Sequence, residues 1–405
     1  MSNCIFEPEH EIKVDSCCDV LVAGGGIAGI SAAIAAARGG KRVTLLEREY
    51  ALGGMATLGL VTIYLPLCDG KGTQLIYGIG EELLRLSIKH GAEANYPDAW
   101  LNNGSLEERT KKRYFTQFNP HLFALSVETL LCDLGITILY GTLACAVKKD
   151  NDTITHVIFE SKSGRSAIEV GAVIDCTGDS DICHMAGAKT ALFANGNGLA
   201  SWYYYFANNS VHLKMFGLAD LPPDDTGRNE ANQYNNVKVA SLTATRFSGV
   251  DHVELSNAVI EAHGKMYEDI LEFNRKDSAY VPVTMSTIPL VRMSRRLAGA
   301  YTMDDTEERV FMKDSIGMTG DWRKRGPVYE LPFGTLYCNE IRNLLVAGRN
   351  ISVTDAMWDI TRVIPTCAVT GEAAGTAAAM TTNFPQANIS ELQERLTSAG
   401  VMLHL

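Results

Sequence analysis

Between residues 18 and 57 the chain leaves few folds open to itself. An apolar strand, Asp19-Val20-Leu21-Val22-Ala23, runs straight into Gly24-Gly25-Gly26-Ile27-Ala28-Gly29 and an alanine-rich helix. A second strand, Lys41 to Leu46, then ends in Glu47. The glycines answer separate needs, Gly24 a tight turn, Gly26 close backbone approach to a pyrophosphate, and Gly29 helix-strand packing. The helix beginning at Ile27 and Ala28 aims free N–H groups and its positive dipole end at the phosphates. Glu47, about twenty residues after the glycines, stands where a carboxylate hydrogen-bonds the ribose hydroxyls of an adenine dinucleotide. The order strand, turn, helix, strand, acid predicts an α/β, Rossmann-like unit.

Composition excludes several alternatives. With 405 residues, 46% of them hydrophobic, the chain can bury a large core, and its length suggests two or three domains. A net charge of −11 and the absence of a basic, aromatic-interleaved cluster argue against nucleic-acid binding. The run Lys111-Lys112-Arg113 reads as a solvated loop. The N-terminus, with Glu7, Glu9, His10 and Glu11, lacks a signal-peptide pattern, so a cytoplasmic location is expected; no apolar run is long enough to span a membrane. The ten cysteines have neither metal spacing nor a CxxC pair, and adjacent Cys17 and Cys18 are poor disulfide partners. No metal site is expected, and most of the cysteines read as buried hydrophobes.

Beyond Glu47 and Arg48, the stretch Ala51-Leu52-Gly53-Gly54-Met55-Ala56-Thr57-Leu58-Gly59 is a glycine-rich loop passing close to something. Helical spacing recurs over Gly78 to His90, and a helix opened by Asn119-Pro120 continues to Leu134, whereas Asn102 to Gln117 reads as an exposed polar loop. Strands are expected at Thr137 to Tyr140, Ala144 to Lys148, Thr155 to Glu160 and Gly171 to Cys176, the last closing on Thr177-Gly178-Asp179. From about Leu192 to Thr302 the nucleotide-fold rhythm stops. This stretch holds Trp202 to Phe206, a loop around Pro222-Pro223-Asp224-Asp225 and an amphipathic helix with Leu255, Val259, Ala262, Met266 and Ile270 on its core face. The rhythm returns at Leu344 to Arg349, followed by a small-residue helix, Thr366 to Met380.

Taken together, VLVAGGGIAG, LLERE with LGGMATLG, VIDCTGDSDICHMAGA, RMSRRLAGAY, and NLLVAGRNIS with RVIPTCAVTGEAAGTAAA resemble the FAD-dependent oxidoreductases with a glutathione-reductase-type FAD fold, relatives of fumarate reductase and succinate dehydrogenase flavoproteins. The resemblance implies an FAD-binding domain in two parts, 15–190 and 303–390, interrupted by an inserted α+β substrate domain at 191–302. It further implies FAD held by Gly24, Gly26, Ile27, Ala28, Gly29, Glu47 and Arg48. Gly53, Gly54, Met55, Ala56 and Thr57 would run beside the flavin, with Ala144 at the adenine and Gly178, Asp179 and Gly348 along the dinucleotide. The helix start at Thr366 and Cys367 would face flavin N1 and O2, where reduced flavin carries negative charge. Asp355 occupies the position of a histidine found in many relatives, which puts that histidine's proton-transfer role in doubt here. The loop from Ala51 to Leu58 has no His or Cys for covalent attachment, so noncovalent FAD is expected.

The chemistry calls for groups that orient a substrate and manage one proton. Arg292, Arg295 and Arg296 suit substrate oxygens or pair with acids such as Asp304 and Asp305. Arg362 is a second such group or a partner of Asp355 or Asp359, and Asp355 is a base or a helix cap. Tyr64 is a proton donor or a core aromatic, and His121 an exposed first-turn residue. Cys367 is either a reactive thiol or packing beneath the flavin. The favoured expectation is hydride transfer between a small polar metabolite and flavin N5, with an external electron acceptor or donor because Gly196-Asn197-Gly198 lacks the context of a second dinucleotide site. The alternatives are a thiazole-synthase-like dinucleotide holder, or a flavin subunit or sensor needing a partner, for which Trp202 to Phe206 could be the contact surface.

Overall fold

The computed structural model describes residues 4, 5, 7, 9–217 and 242–405, so the expected loop at Pro222 to Asp225 lies outside the described residues. Val20, Leu21 and Val22 in β1 (Lys13–Ala23) are fully buried, which requires cover on both faces and places this strand inside a parallel sheet. It leads into α1 (Ile27–Arg38), β2 (Val43–Leu46) and α2 (Gly78–Ser87), then α3 (Pro120–Asp133) and β3 (Thr137–Leu139). An antiparallel meander follows: β4 (Leu143–Asp150), β5 (Thr153–Ser161) and β6 (Gly164–Asp175). The expected turn between β4 and β5 is there, with Asn151 at φ +52°.

After β6 come β7 (Ser201–Ala207), β8 (Ser210–Phe216), the 25-residue α4 (His252–Lys276) and β9 (Val281–Met285). The chain ends with β10 (Leu344–Val346), α5 (Asp355–Thr361) and α6 (Ile364–Met380), followed by a further short helix. A seven-stranded sheet runs β3-β2-β1-β6-β5-β4, and β10 pairs with the far end of β6. Its pairings β3–β2, β2–β1, β1–β6 and β6–β10 are parallel, with Val22 opposite both Leu45 and Ile174. This is the Rossmann-like α/β arrangement the sequence predicts.

Small residues let α6 lie on α1: a Cβ at Gly371 or Gly375 would come within 2.2 Å of the Ala28 or Ala32 carbonyl. Neither glycine can be enlarged without separating the two helices. A separate antiparallel sheet, β8-β7-β9, carries α4. On α4, Ala262 and Met266 are buried while Leu255, Val259 and Ile270 are half-buried, which agrees with the predicted core face. Trp202 and Tyr204 of β7 pack with Leu60, so most of the aromatic stretch is interior.

Two expectations fail locally. The segment Asn102 to Gln117 contains a helix, Leu106–Lys111, closed by a capping box between Ser105 and Glu108. Beyond it Tyr114 is fully buried and Arg113 is buried, donating to the main-chain carbonyls of Asp321 and Trp322. The basic run is therefore divided: Lys111 is solvated, and Arg113 is a structural tie. The cysteines are less uniformly interior than expected, with five of the ten buried. Cys17 and Cys18 alternate outward and inward along β1, as strand geometry requires.

One buried carboxyl supplies a pH prediction. Tyr77 offers no side-chain cap to α2, and Glu372 from α6 accepts the Ile79 N–H at 2.9 Å instead. Burial pushes the Glu372 carboxyl up to about 7 from its ordinary 4.5. A raised folded-state value means the folded chain holds the proton more tightly, so this stabilisation is full below pH 4.5 and is lost as pH rises through 7. Glu372→Gln should remove that slope and be more stable than the parent at pH 8, by at most ~3 kcal/mol. Parallel urea titrations of parent and variant at pH 5 and 8 check this, and parallel pH profiles would refute it.

Candidate functional site

The carboxyl ends of the parallel strands open onto a cleft with about 1180 Å³ of empty space, counting its mouth. Two helix N-termini reach it, α1 through Gly26, Ile27 and Ala28, and α6 through Ile364 and Cys367. Neither helix has a side-chain cap, so their first-turn N–H groups are left for a ligand.

The three motif glycines differ physically. Gly24 has φ +104°, and a Cβ there would meet the Cys176 carbonyl at 2.4 Å; at Gly29 it would meet the Gly24 carbonyl at 1.8 Å. Both are required by the protein itself. At Gly26 an added Cβ meets nothing within 4 Å and φ is −71°, so neither space nor backbone demands glycine. That bareness leaves room for a ligand to approach the backbone at the start of α1.

Glu47 is buried at the cleft wall, where Oε2 accepts the Gly25 N–H at 2.7 Å and Oε1 accepts the Glu49 N–H at 2.8 Å. These bonds fix the carboxylate, and each oxygen keeps acceptor capacity for ribose hydroxyls. Arg48 and Ala144 line the same end, joined by Thr142 and Leu143. The loop Gly53-Gly54-Met55-Ala56 lines the cleft and docks on the glycine turn through Gly53 N–H to the Gly25 carbonyl, 2.8 Å. Thr57 stands behind it, its hydroxyl donating to the Leu52 carbonyl.

After β6, Asp175 organises the next crossing. Its buried carboxylate accepts from the Thr177 N–H and hydroxyl, the Cys183 N–H and the Asn350 amide. This holds Thr177 and Gly178 in the cleft wall, with Gly348 opposite. What crowds Gly178 is the Arg349 guanidinium, 2.9 Å from where a Cβ would stand. Asp179 is turned away from the cleft, bonded to Arg349 and Ser294. Gly29 and Thr366 likewise lie one layer behind the lining, Thr366 sharing a hydrogen bond with Thr319. Cys367 does line the cleft, and burial pushes its thiol up to about 12, which disfavours the thiolate form.

The arginines are dispersed. Arg362 reaches the cleft and is paired with Asp359, the structural alternative foreseen for it. Arg295 pairs with Asp181 at 2.5 Å, not with Asp304 or Asp305. Arg296 lies over Trp358 with Asp355 at 3.8 Å, and its buried Nε has no hydrogen-bond partner among the described residues. Arg292 donates its main-chain N–H to Asn197. None of Arg292, Arg295, Arg296 and Asp355 lines the cleft. The cap of α5 is Thr354 and not Asp355, its hydroxyl accepting the Met357 N–H. Tyr64 is fully buried, donating to the Gly80 carbonyl at 2.6 Å, so it is a core aromatic with no access to a substrate. His121 is exposed in the first turn of α3.

Sequence reading missed Arg349, Asp181, Ile288 and Pro289 in the wall. Arg349 stood beside the glycine already chosen. Ile288 and Pro289 had no local signal, because they arrive from the segment that carries α4 and β9.

A sequence model described as FAD dependent oxidoreductase matches residues 19–201 and 218–396. The chain belongs to this family. It is an FAD-dependent oxidoreductase, and FAD is its cofactor. Solved structures similar to it include a geranylgeranyl bacteriochlorophyll reductase-like protein from Thermoplasma acidophilum (13% identity, 95% of this chain and 84% of that one, TM-score 0.42). Another is the p-nitrophenol 4-monooxygenase PnpA from Pseudomonas putida DLL-E4 (11%, 96% and 82%, 0.43). A third is the anhydrotetracycline hydroxylase OxyS from Streptomyces rimosus (13%, 89% and 62%, 0.43), of which this chain spans less than two thirds. No curated protein matches the chain. Among the described residues no helix is long and apolar enough to cross a membrane.

Proposed function

We propose that this FAD-dependent oxidoreductase transfers hydride between a small molecule and N5 of a noncovalently held FAD. The observation that carries the reading is the pair of uncapped helix N-termini sharing one cleft, one at Gly26 and the other at Ile364. The first suits a pyrophosphate, with Gly26 bare of any steric reason of its own; the second suits the flavin edge that gains negative charge on reduction. Glu47 and Ala144 would hold the adenosine end. Bound FAD supplies a two-electron acceptor at N5. An external electron acceptor or donor would complete the cycle, with one substrate proton exchanged with solvent.

The chain's own part is to bind and orient. Arg362, beside the cleft, would place positive charge near the flavin while Asp359 holds it in position. The two thiols in the wall, Cys176 and Cys367, are both pushed up by burial, which favours noncovalent attachment because an attacking thiolate is scarce. We further propose that 191–302 forms a substrate-side unit between the two FAD-binding parts, 15–190 and 303–390, with Ile288 and Pro289 as its share of the cofactor wall.

Purified protein should be yellow, and acid precipitation should leave the flavin in the supernatant. Anaerobic addition of the right donor should bleach it. Flavin retained in the pellet would overturn the noncovalent reading, and a flavin that no donor or acceptor turns over would overturn the catalytic one.

A further inference from the structure

A second pocket adjoins the cleft and shares Ile288 and Pro289 with it. We infer that this pocket is the substrate chamber and that it takes an uncharged, mostly apolar small molecule bearing a hydrogen-bonding oxygen. The inference rests on the flavin reading above and narrows it, since a small polar metabolite was the expectation.

The chamber has about 530 Å³ of empty space, counting its mouth. One side is the face of α4, with Ala258, Val259, Ala262 and His263; across from it stand Leu199 and Phe247. The third wall is the segment 286–291. Its placement is fixed by main-chain bonds at both ends. The Ser286 N–H donates to the Trp202 carbonyl and the Thr287 N–H to the Leu58 carbonyl, both at 2.9 Å, while the Val291 carbonyl accepts from Arg349 at 2.9 Å. Leu58 ends the loop that follows Gly53, and Arg349 lines the cleft, so the partition is tied to the cofactor side at each end. Ile288 and Pro289 thus line both the chamber and the cleft.

The chemistry of the walls sets the ligand class. No Asp, Glu, Lys or Arg among the described residues lines the chamber. A carboxylate or ammonium entering it would lose its water with no oppositely charged Asp, Glu, Lys or Arg among the described lining residues to meet, which disfavours it. Arg295 is held by Asp181, and Arg296 lies over Trp358 with Asp355 at 3.8 Å. The polar groups present can donate and accept hydrogen bonds: the Ser201 and Ser286 hydroxyls, 3.3 Å apart, and the His263 imidazole. Such groups recognise a hydroxyl or carbonyl on an otherwise apolar body.

Cyclohexanol, benzyl alcohol and benzoate, titrated into the FAD-loaded enzyme, test this. Two readouts are followed, the visible absorption of bound flavin and the thermal unfolding midpoint. The alcohols should perturb both saturably, with benzoate at least tenfold weaker. Val259→Phe and Ala258→Phe should each weaken alcohol binding at least tenfold while FAD content stays unchanged; two variants guard against one that fails to fold. Benzoate equal to or tighter than the alcohols would overturn the inference, as would alcohols that shift neither readout or bind both variants normally. Protein without flavin would sink the proposed reaction instead, and the unfolding midpoint would still report on the chamber.

Discussion

Gly26→Ala is expected to cost at least tenfold in FAD affinity, about 1.4 kcal/mol, while leaving the FAD-free protein about as stable as the parent. The two halves of this expectation come from one observation. A Cβ at Gly26 touches no protein atom within 4 Å, and the backbone there is already in a conformation that alanine adopts. The less flexible unfolded state of the variant is offset by alanine's poorer fit at the N-cap of α1, so the empty chain should stay within about 0.5 kcal/mol of the parent. The same methyl occupies the space in which the pyrophosphate would approach α1. Flavin retained on gel filtration and unfolding of the FAD-free form measure the two effects separately. Gly29→Ala is the contrast: its Cβ would fall 1.8 Å from the Gly24 carbonyl, so it should damage the fold whether or not FAD is present. Normal FAD binding by Gly26→Ala would falsify the assignment of the cradle.

Asp175→Ala should be the most destabilising single change at the site, by about 4 kcal/mol. It strips acceptors from the Thr177 N–H and hydroxyl, the Cys183 N–H and the Asn350 amide, around a residue with no solvent access. Each buried donor left unpaired costs ~1–3 kcal/mol, and the hydroxyl and amide can recover part of theirs. Asp175→Asn keeps one oxygen but turns an NH2 toward donors, so it should lose roughly half as much. Both variants should also bind FAD poorly, because the displaced crossing carries Thr177 and Gly178 into the cleft wall. Urea midpoints within the equivalent of ~1 kcal/mol of the parent for Asp175→Ala would show that the network is dispensable.

The glycine-turn side of the cleft was legible in the sequence because its signals are local. The Gly24 to Gly29 turn, Glu47 at the end of β2 and Gly348 at the end of β10 are each set by strand-end geometry within a few residues. The arginines could not be placed, since a guanidinium's partner depends on which distant acid the fold delivers: Asp181 for Arg295, Asp355 for Arg296, main-chain carbonyls for Arg113. Polarity misled at Asn102 to Gln117, where a capping box and the buried Tyr114 sit within a hydrophilic stretch. Ile288 and Pro289 look like any apolar pair until Thr287 is bonded to Leu58, more than two hundred residues earlier.

The contact between α1 and α6 joins the start of the chain to its end, and β10 closes onto β6 only after about 170 further residues have been made. At a synthesis rate of roughly 5–20 residues per second, the nascent chain waits about 10–30 s with one edge of the end of β6 open, the other being paired with β1. The alanine face of α1 waits longer still, for Gly371 and Gly375 to arrive. An unpaired strand edge and an uncovered apolar helix are sites for wrong partners. Production of this enzyme should therefore depend on chaperone supply and growth temperature more than the stability of the finished molecule would suggest.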